Sequence, residues 1–188
     1  MKADIRIENF LGKRTLILGE VNTGKTRLCK GILDEFCVHL LGRSIIVLDL
    51  APEIPKEATQ GKGLEGIGGR LLPDEEQGVL YLKADIRPPR LSSGSEQEAM
   101  LIASQNVPII DDLFQVFIQS PRDILFINDL SLYLQAGSAD RVAKHLDQAQ
   151  TVVANGYYGQ RLGSGQLSKR EAKEMEVMIE FFDSIIRL

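Results

Sequence analysis

Short apolar runs, separated by longer segments in which apolar residues recur at helical spacing, dominate the pattern along the chain. The short runs are rich in aliphatic and β-branched side chains, which is typical of strands buried on both faces of a parallel sheet. They fall within residues 14–18, 44–50, 123–130 and 150–154. A weaker run at 79–82 is strand-like, and the alternating polar and apolar residues at 4–9 predict an edge strand before the core begins.

The segments between these runs predict helices. The first follows Lys25, where apolar residues recur as far as Leu40 and Gly42 occupies the position of a C-cap glycine. A capping box over residues 95–98 predicts a second helix, which we expect Pro108 to interrupt.

Helical spacing resumes at 110–117, with Asp111 and Asp112 in the first turn, where the helix dipole favours them, and this segment ends at Pro121. Ser138 is a candidate N-cap for a helix over 139–149. A second capping box at 168–171 predicts a C-terminal helix, whose apolar stripe up to residue 186 is either core or a dimer contact, so a homo-oligomer is possible.

This order of elements predicts an α/β fold with three layers, in which a mainly parallel sheet is flanked by helices. A chain of 188 residues is long enough for one domain with a complete hydrophobic core, so we assign 1–188 to a single domain. Residues 51–94 interrupt the alternation, since they contain five of the seven prolines, at positions 52, 55, 73, 88 and 89. We interpret this stretch as a Pro/Gly-rich insertion.

Composition and charge indicate which classes of partner and which cellular compartment to expect. The formal charge of -4 and the pI near 5.3 argue against sequence-independent binding of nucleic acid, which requires lysines and arginines to neutralise phosphates. Residues 1–10 carry charges throughout, which does not fit a signal peptide. No apolar run approaches the roughly 20 residues that span a bilayer. Cys29 and Cys37, on one helix face about 12 Å apart, cannot pair with each other. We therefore expect a cytoplasmic protein without membrane contact.

Residues 19–26 form a complete G-x-x-x-x-G-K-[ST] sequence between a predicted strand and a predicted helix. Its glycines allow the backbone to curl so that N–H groups point at phosphate oxygens, and the following helix presents its positive N-terminal end to them. Lys25 would reach the β- and γ-phosphates, and the Thr26 hydroxyl a Mg²⁺ ion.

These residues and their strand–helix context resemble the P-loop NTPase superfamily. The resemblance covers about thirty residues specifically and implies a nucleoside triphosphate as ligand, with Mg²⁺ as cofactor. No Asn-Lys-x-Asp sequence follows a strand, so the guanine-selecting signature of GTPases is absent and ATP is the default nucleotide. The implied nucleotide-binding residues are Gly19, Glu20, Val21, Asn22, Thr23, Gly24, Lys25, Thr26 and Arg27.

The same resemblance implies an acid at the end of the strand 123–130, which holds the magnesium shell, and often a second acid that aligns the attacking water. Here the order is Asn128–Asp129. Either Asp129 holds the magnesium shell with Thr26 and has no adjacent base, or Asn128 occupies the magnesium position and Asp129 the base position. We favour the first arrangement, because an amide is a poor substitute for the charge that attracts a divalent ion. Lys25 and Asp129 are then the candidate catalytic residues.

Other polar residues keep two interpretations each. Asp49, at a strand end, either faces the substrate or caps the next turn. Asn155 either matches the γ-phosphate-sensing position of the additional-strand class of P-loop proteins by order, or forms an Asn-Gly turn.

Two glycine-rich segments, 61–70 and 157–165, are candidate mobile loops. Arg87, Arg90 and Arg161 could supply positive charge to a phosphoryl group or an acceptor, or be ordinary surface arginines.

Three functions follow from these residues. The first is a Mg-dependent nucleoside triphosphate hydrolase, in which water attacks the γ-phosphorus in line. The second is a small-molecule kinase, whose insertion and 157–165 loop hold the acceptor and close on it. The third is a non-hydrolysing module, in which bound ATP orders the glycine-rich loops to create a surface for a protein partner.

Overall fold

In the computed structural model, residues 5–39, 44–54, 69–74 and 78–188 are described. Their strands are β1 (Arg14–Gly19), β2 (Ile45–Asp49), β3 (Leu80–Lys83), β4 (Ile124–Asn128), β5 (Thr151–Tyr157) and β6 (Ser184–Arg187). The helices are α1 (Lys25–His39), α2 (Pro89–Ser92), α3 (Glu96–Gln119), α4 (Ser131–Leu134), α5 (Ala139–Leu146) and α6 (Gln166–Ile179), with a 3-10 turn at Ile7–Asn9.

Across the described residues the strands form one sheet in the order β3-β2-β4-β5-β1-β6, and every pairing is parallel. Parallel neighbours require crossovers, and the helices supply them. The predicted three-layer α/β fold with a parallel sheet is therefore confirmed. None of the helices in the described ranges has the length and apolar character needed to cross a bilayer.

Successive side chains of each strand point to opposite layers, so both faces of the sheet are buried. On one face Ile17, Val47 and Phe126 pack against α1, where Phe36 meets Phe126 edge to face at 5.7 Å between ring centroids. On the other face strand residues such as Leu16, Leu48 and Leu125 pack against α3, α4, α5 and α6. This two-sided burial explains why the strands are continuous apolar runs in the sequence.

The register aligns the carboxyl ends of the central strands. Asp49 at the end of β2 lies opposite Asn128 at the end of β4, and Ile127 lies opposite Ala154, the residue before Asn155. Strand β5 separates β4 from β1, which leads into residues 19–26. Three polar side chains from distant parts of the chain therefore meet beside this loop.

Several sequence-based expectations about element boundaries were wrong. Within residues 4–9, the described part forms a 3-10 turn rather than a strand. The C-terminal segment is not one helix, because α6 ends at Ile179 and β6 then pairs with β1 through Ile185 and Ile186. The N-cap position of α6 is Gly165 rather than Ser168. Leu40, Gly42 and residues 55–68 and 75–77 lie outside the described part.

Pro108 does not interrupt the second predicted helix. Helix α3 is continuous over Glu96–Gln119 with Pro108 inside it, and its N-cap is Ser95, whose side chain accepts the N–H of Glu98, as the capping box predicts. Asp111 and Asp112 consequently lie in the interior of a helix rather than in its first turn. Asp111 has a packing role, since it accepts a hydrogen bond from the Tyr133 hydroxyl at 2.9 Å and pairs with Arg141.

A continuous α3 predicts that Pro108→Ala stabilises the protein. Pro108 is exposed, so its replacement leaves no cavity, and alanine restores an N–H donor and removes the clash of the proline ring with the preceding turn. We expect the free energy of unfolding to rise by about 1–3 kcal/mol in urea titrations. Gln105→Ala, at another exposed position of α3, is the control and should change it by less than about 0.5 kcal/mol. Equal or lower stability of Pro108→Ala would contradict the continuous helix.

Candidate functional site

A cavity of about 780 Å³ opens where β1, β4 and β5 end. Its lining includes the loop and first helical turn over residues 21–27 and the 88–91 segment. Asp129 and Asn155 also line it. The cavity thus lies at the carboxyl end of the sheet, where open α/β folds bind their ligands.

The loop 19–26 has the backbone geometry that its glycines predict. Asn22 and Gly24 have positive φ values of 62° and 93°, a region that favours glycine and tolerates asparagine. At Gly19, a Cβ atom would lie 2.5 Å from the carbonyl oxygen of Leu188, so a side chain has no room there. Helix α1 begins at Lys25, which leaves its first N–H groups without partners inside the helix. The loop and the helix end together form a concave, donor-rich wall of the cavity.

Lys25 folds back over this loop, because its ammonium group donates a hydrogen bond to the Glu20 carbonyl oxygen. Burial lowers the pKa of Lys25, and the nearby carboxylates of Asp129 and Glu20 oppose that shift. The lysine therefore lies at the loop with a carboxylate of the cavity wall close enough to affect it.

Glu20 connects the loop to the segment after β5. Its Oε1 accepts the backbone N–H groups of Gln160 at 2.6 Å and of Arg161 at 3.3 Å. Burial raises its pKa, but these N–H donors outweigh that effect and the net shift is downward. Gly159 lies close beside it, and a Cβ atom there would displace the Glu20 carboxylate from this position. One end of the 157–165 loop is thus fixed to the loop 19–26.

Three buried polar side chains form a hydrogen-bonded chain beside the loop. The Asn128 Nδ2 donates to Asp49 Oδ1 at 2.7 Å and to the Gly69 carbonyl at 2.8 Å. The Asn128 Oδ1 accepts from Asn155 Nδ2 at 2.8 Å and from the Thr26 hydroxyl at 3.5 Å. Two acceptors on one side and two donors on the other fix the orientation of the Asn128 amide.

Asp49 serves the fold rather than the cavity. Besides Asn128 it accepts the N–H groups of Ala51 and Leu71 and the hydroxyl of Tyr81, at 3.2, 2.9 and 2.8 Å. It is completely buried and does not line the cavity. Of the two interpretations that the sequence left open, the cap of the following turn agrees with this geometry.

Asp129 is a carboxylate that lines the cavity. Its Oδ1 accepts the Ser131 hydroxyl at 2.8 Å, and its backbone N–H donates to Asn155 Oδ1 at 3.1 Å. The backbone has a φ of 60°, an uncommon conformation that places the residue just beyond the end of β4. Burial raises its pKa, against the effects of Ser131 and Lys25. Asn155 itself lies inside β5, so the Asn-Gly turn interpretation was wrong.

The predicted arginines separate into two groups. Arg90 and Arg161 line the cavity, whereas the Arg87 side chain is exposed outside it. Most of the other predicted loop, residues 61–68, lies outside the described part of the chain, although Gly69 lines the cavity.

Sequence reasoning missed Glu171 and Gln135, which are both buried and line the cavity. Glu171 was assigned only to a capping box. A signal was nevertheless present, because Glu171 shares one helical face with Leu167, Met175 and Met178, and a carboxylate within an apolar stripe requires a partner.

Comparisons with known proteins identify the architecture. No protein-family model matches the chain, and no curated protein matches it. Among solved structures, it is similar to the crystal structure of flagellar accessory protein FlaH from Methanocaldococcus jannaschii, with a TM-score of 0.50 and 12% identity over 95% of this chain and 71% of that chain. This similarity establishes the fold. It agrees with the predicted P-loop-like architecture, while the ligand has to be argued from the site.

The polar chain predicts a large cost for Asn128→Asp. The substitution removes the N–H groups that donate hydrogen bonds to Asp49 and to the Gly69 carbonyl. It also places two carboxylates in contact inside the protein. We expect the free energy of unfolding at pH 7 to fall by roughly 2–4 kcal/mol, and by less at acid pH, where protonation of one carboxyl group restores a donor.

Two control variants accompany this measurement by chemical denaturation. Asn9→Asp makes the same chemical change at an exposed position and should leave stability within about 0.5 kcal/mol. The double variant Asp49→Asn, Asn128→Asp exchanges the two groups and should recover part of the loss. A neutral effect of Asn128→Asp would contradict the hydrogen-bonded chain.

Proposed function

We propose that this protein binds Mg-ATP, or another Mg-nucleoside triphosphate, on the loop 19–26 and hydrolyses it. The observation that carries the proposal is the G-x-x-x-x-G-K-T loop itself, which lies between a buried parallel strand and a helix and forms one wall of a cavity. Its backbone N–H groups, the N-terminal end of α1 and the Lys25 ammonium would together bind the phosphates.

The side chains around Thr26 fit a magnesium ion. Mg²⁺ prefers oxygen ligands and is usually bound through one or two protein groups together with the phosphates of the substrate. Thr26 and Asp129 line this end of the cavity with oxygen atoms, and the amide oxygen of Asn128, which is completely buried and outside the lining, accepts the Thr26 hydroxyl. The ion would supply neutralisation of the phosphate charge.

The contacts of Asn128 and Asp129 support one assignment of the magnesium and base positions. The amide oxygen of Asn128 is the one that faces Thr26, which supports the second arrangement, with Asn128 at the magnesium position and Asp129 at the base position. The missing charge at position 128 is partly compensated, because Asp49 accepts a hydrogen bond from the other end of the same amide. Asp129, held by Ser131 in the cavity wall, would then orient the attacking water and accept its proton.

A small-molecule kinase is the second candidate, and Arg90 favours it. This arginine lines the same cavity as residues 21–27 and could bind a phosphoryl acceptor there. A hydrolase needs only space for water at that position.

The test is release of phosphate from a panel of Mg-nucleoside triphosphates. Lys25→Ala should lower the rate by about 100-fold or more, because it removes the ammonium group that would contact the β- and γ-phosphates. Lys13→Ala, an exposed lysine outside the cavity, should match the unsubstituted protein. Nucleotide that binds without release of phosphate would overturn the hydrolase and favour the kinase or the nucleotide-gated module.

Asp129→Asn distinguishes the two magnesium arrangements. If Asp129 acts on the water, turnover should fall by about 10²–10⁴-fold, while the Mg²⁺ concentration for half-maximal activity stays unchanged. If Asp129 instead holds the magnesium shell, that concentration should rise together with the loss of activity. A Mg²⁺ titration of steady-state phosphate release therefore separates a base from a metal ligand.

A further inference from the structure

The cavity lining outside the loop 19–26 includes an arginine held on a rigid segment. Arg90 belongs to α2, which follows Pro88 and begins with Pro89. Buried Asn106 of α3 fixes the preceding turn, since it accepts the Arg87 N–H at 3.3 Å and donates to the Arg87 carbonyl at 2.8 Å. The position of Arg90 relative to the sheet is thus set by two prolines and a buried amide.

A buried carboxylate orients the guanidinium group. Arg90 Nη2 donates to Glu171 Oε2 at 2.6 Å and to Ser168 Oγ at 3.1 Å. The other carboxylate oxygen of Glu171 accepts from Gln135 Nε2 at 2.9 Å. The side chains of Arg90 and Glu171 are only 19% and 3% exposed. Burial raises the pKa of Glu171, and Arg90 opposes that shift.

This arrangement leaves hydrogen-bonding capacity on the cavity side. A guanidinium group has five N–H donors, and within the described residues only Nη2 of Arg90 has acceptors. The remaining N–H donors of Arg90 are therefore available to an anionic ligand in the cavity. The amide oxygen of buried Gln135, which also lines the cavity, has no partner in the described part of the chain and would accept a hydrogen bond from a donor group of such a ligand.

The cavity lining also includes apolar side chains that could contact the body of a ligand. They are Pro88, Leu91, Leu132 and Leu162. The cavity volume of about 780 Å³ lies within the roughly 300–1,000 Å³ that is typical of sites for small molecules, and the loop 19–26 forms only part of the lining.

We propose that Arg90 forms a second ligand subsite, which binds the carboxylate or phosphate group of a small molecule whose apolar body packs on Pro88, Leu91 and Leu132. The proposal rests on nucleotide binding at the loop 19–26, because this second ligand would share the cavity with the nucleotide. Glu171 is a positioning residue, which acts through Arg90.

The anion that Arg90 contacts could alternatively be the terminal phosphate of the nucleotide itself. The test therefore uses protein saturated with Mg²⁺ and a non-hydrolysable ATP analogue, so that the loop 19–26 is occupied. The probes are benzoate and phenyl phosphate, with benzyl alcohol as a neutral molecule of similar shape, and binding is measured by ligand-observed NMR.

We expect both anionic probes to bind at least about tenfold more tightly than benzyl alcohol, since charge-assisted hydrogen bonds to arginine have this magnitude. The double variant Arg90→Gln, Glu171→Gln should lose this preference without leaving an unpaired buried carboxylate. Glu171→Gln alone breaks the same ion pair but keeps the guanidinium, and it should retain probe affinity within about threefold. Arg87→Ala, which removes an exposed arginine outside the cavity, should have no effect.

Three results would overturn the subsite. One is an equal affinity of anionic and neutral probes for the unsubstituted protein. Another is loss of probe binding in Glu171→Gln as severe as in the double variant, which would make the ion pair purely structural. The third is weaker binding of the ATP analogue, relative to ADP, in the double variant without any probe binding, which would assign Arg90 to the nucleotide.

A titration of benzoate without nucleotide separates this proposal from the proposed function. Arg90-dependent binding of benzoate by a protein that binds no nucleotide would overturn nucleotide binding and leave the subsite. Nucleotide binding without any Arg90-dependent probe binding would overturn the subsite and leave nucleotide binding.

Discussion

The polar groups at the carboxyl ends of β2, β4 and β5 must satisfy one another, because both faces of the sheet are covered and water does not reach them. Asp49, Asn128 and Asn155 meet this constraint through one hydrogen-bonded chain, in which an amide takes the central position between a carboxylate and a second amide. Asn128 now donates a hydrogen bond to Asp49 at 2.7 Å. A carboxylate at position 128 would instead place two negative charges at that separation. The register of the sheet therefore explains why the strand β4 ends in Asn128 and why the acid comes one residue later.

The position of the acid at 129 rather than 128 determines which groups face the candidate site. The oxygen of Asn128 faces Thr26, and Asp129 turns into the cavity through a positive φ while its own N–H remains bound to Asn155. Charged groups of both signs line the cavity: Lys25 at the loop, Asp129 after β4, and the Arg90–Glu171 pair. A phosphate-rich ligand and a separate anionic group could each meet a cation there without leaving a buried charge unpaired.

Much of this architecture could be predicted from local sequence patterns, and the predictions that were wrong have physical causes. The central strands were predictable because burial on both faces makes them continuous apolar runs, and the loop 19–26 because its geometry needs specific residues. Strand β6 was missed because Ile185 and Ile186 extend the helical spacing of α6, so only pairing with β1 decides their conformation. Pro108 is exposed within a long helix whose packing residues, such as Ile110 and Phe114, lie in the core, and tertiary packing there overrides the local cost of proline. Glu171 could not be connected to Arg90 from sequence, because 81 positions separate them.

The central claim is that residues 19–26 bind the phosphates of a nucleotide, and a titration of ¹⁵N-labelled protein with Mg-ADP, followed through backbone amide resonances, tests it most directly. The largest shifts are expected for the amides of residues 20–27, whose N–H groups would receive the phosphate oxygens, with smaller shifts at Asn128 and Asp129. Gln160 and Arg161 should also respond, since Glu20 holds their N–H groups. Saturable binding that leaves the amides of 20–27 unshifted, or no binding at millimolar nucleotide, would contradict the claim.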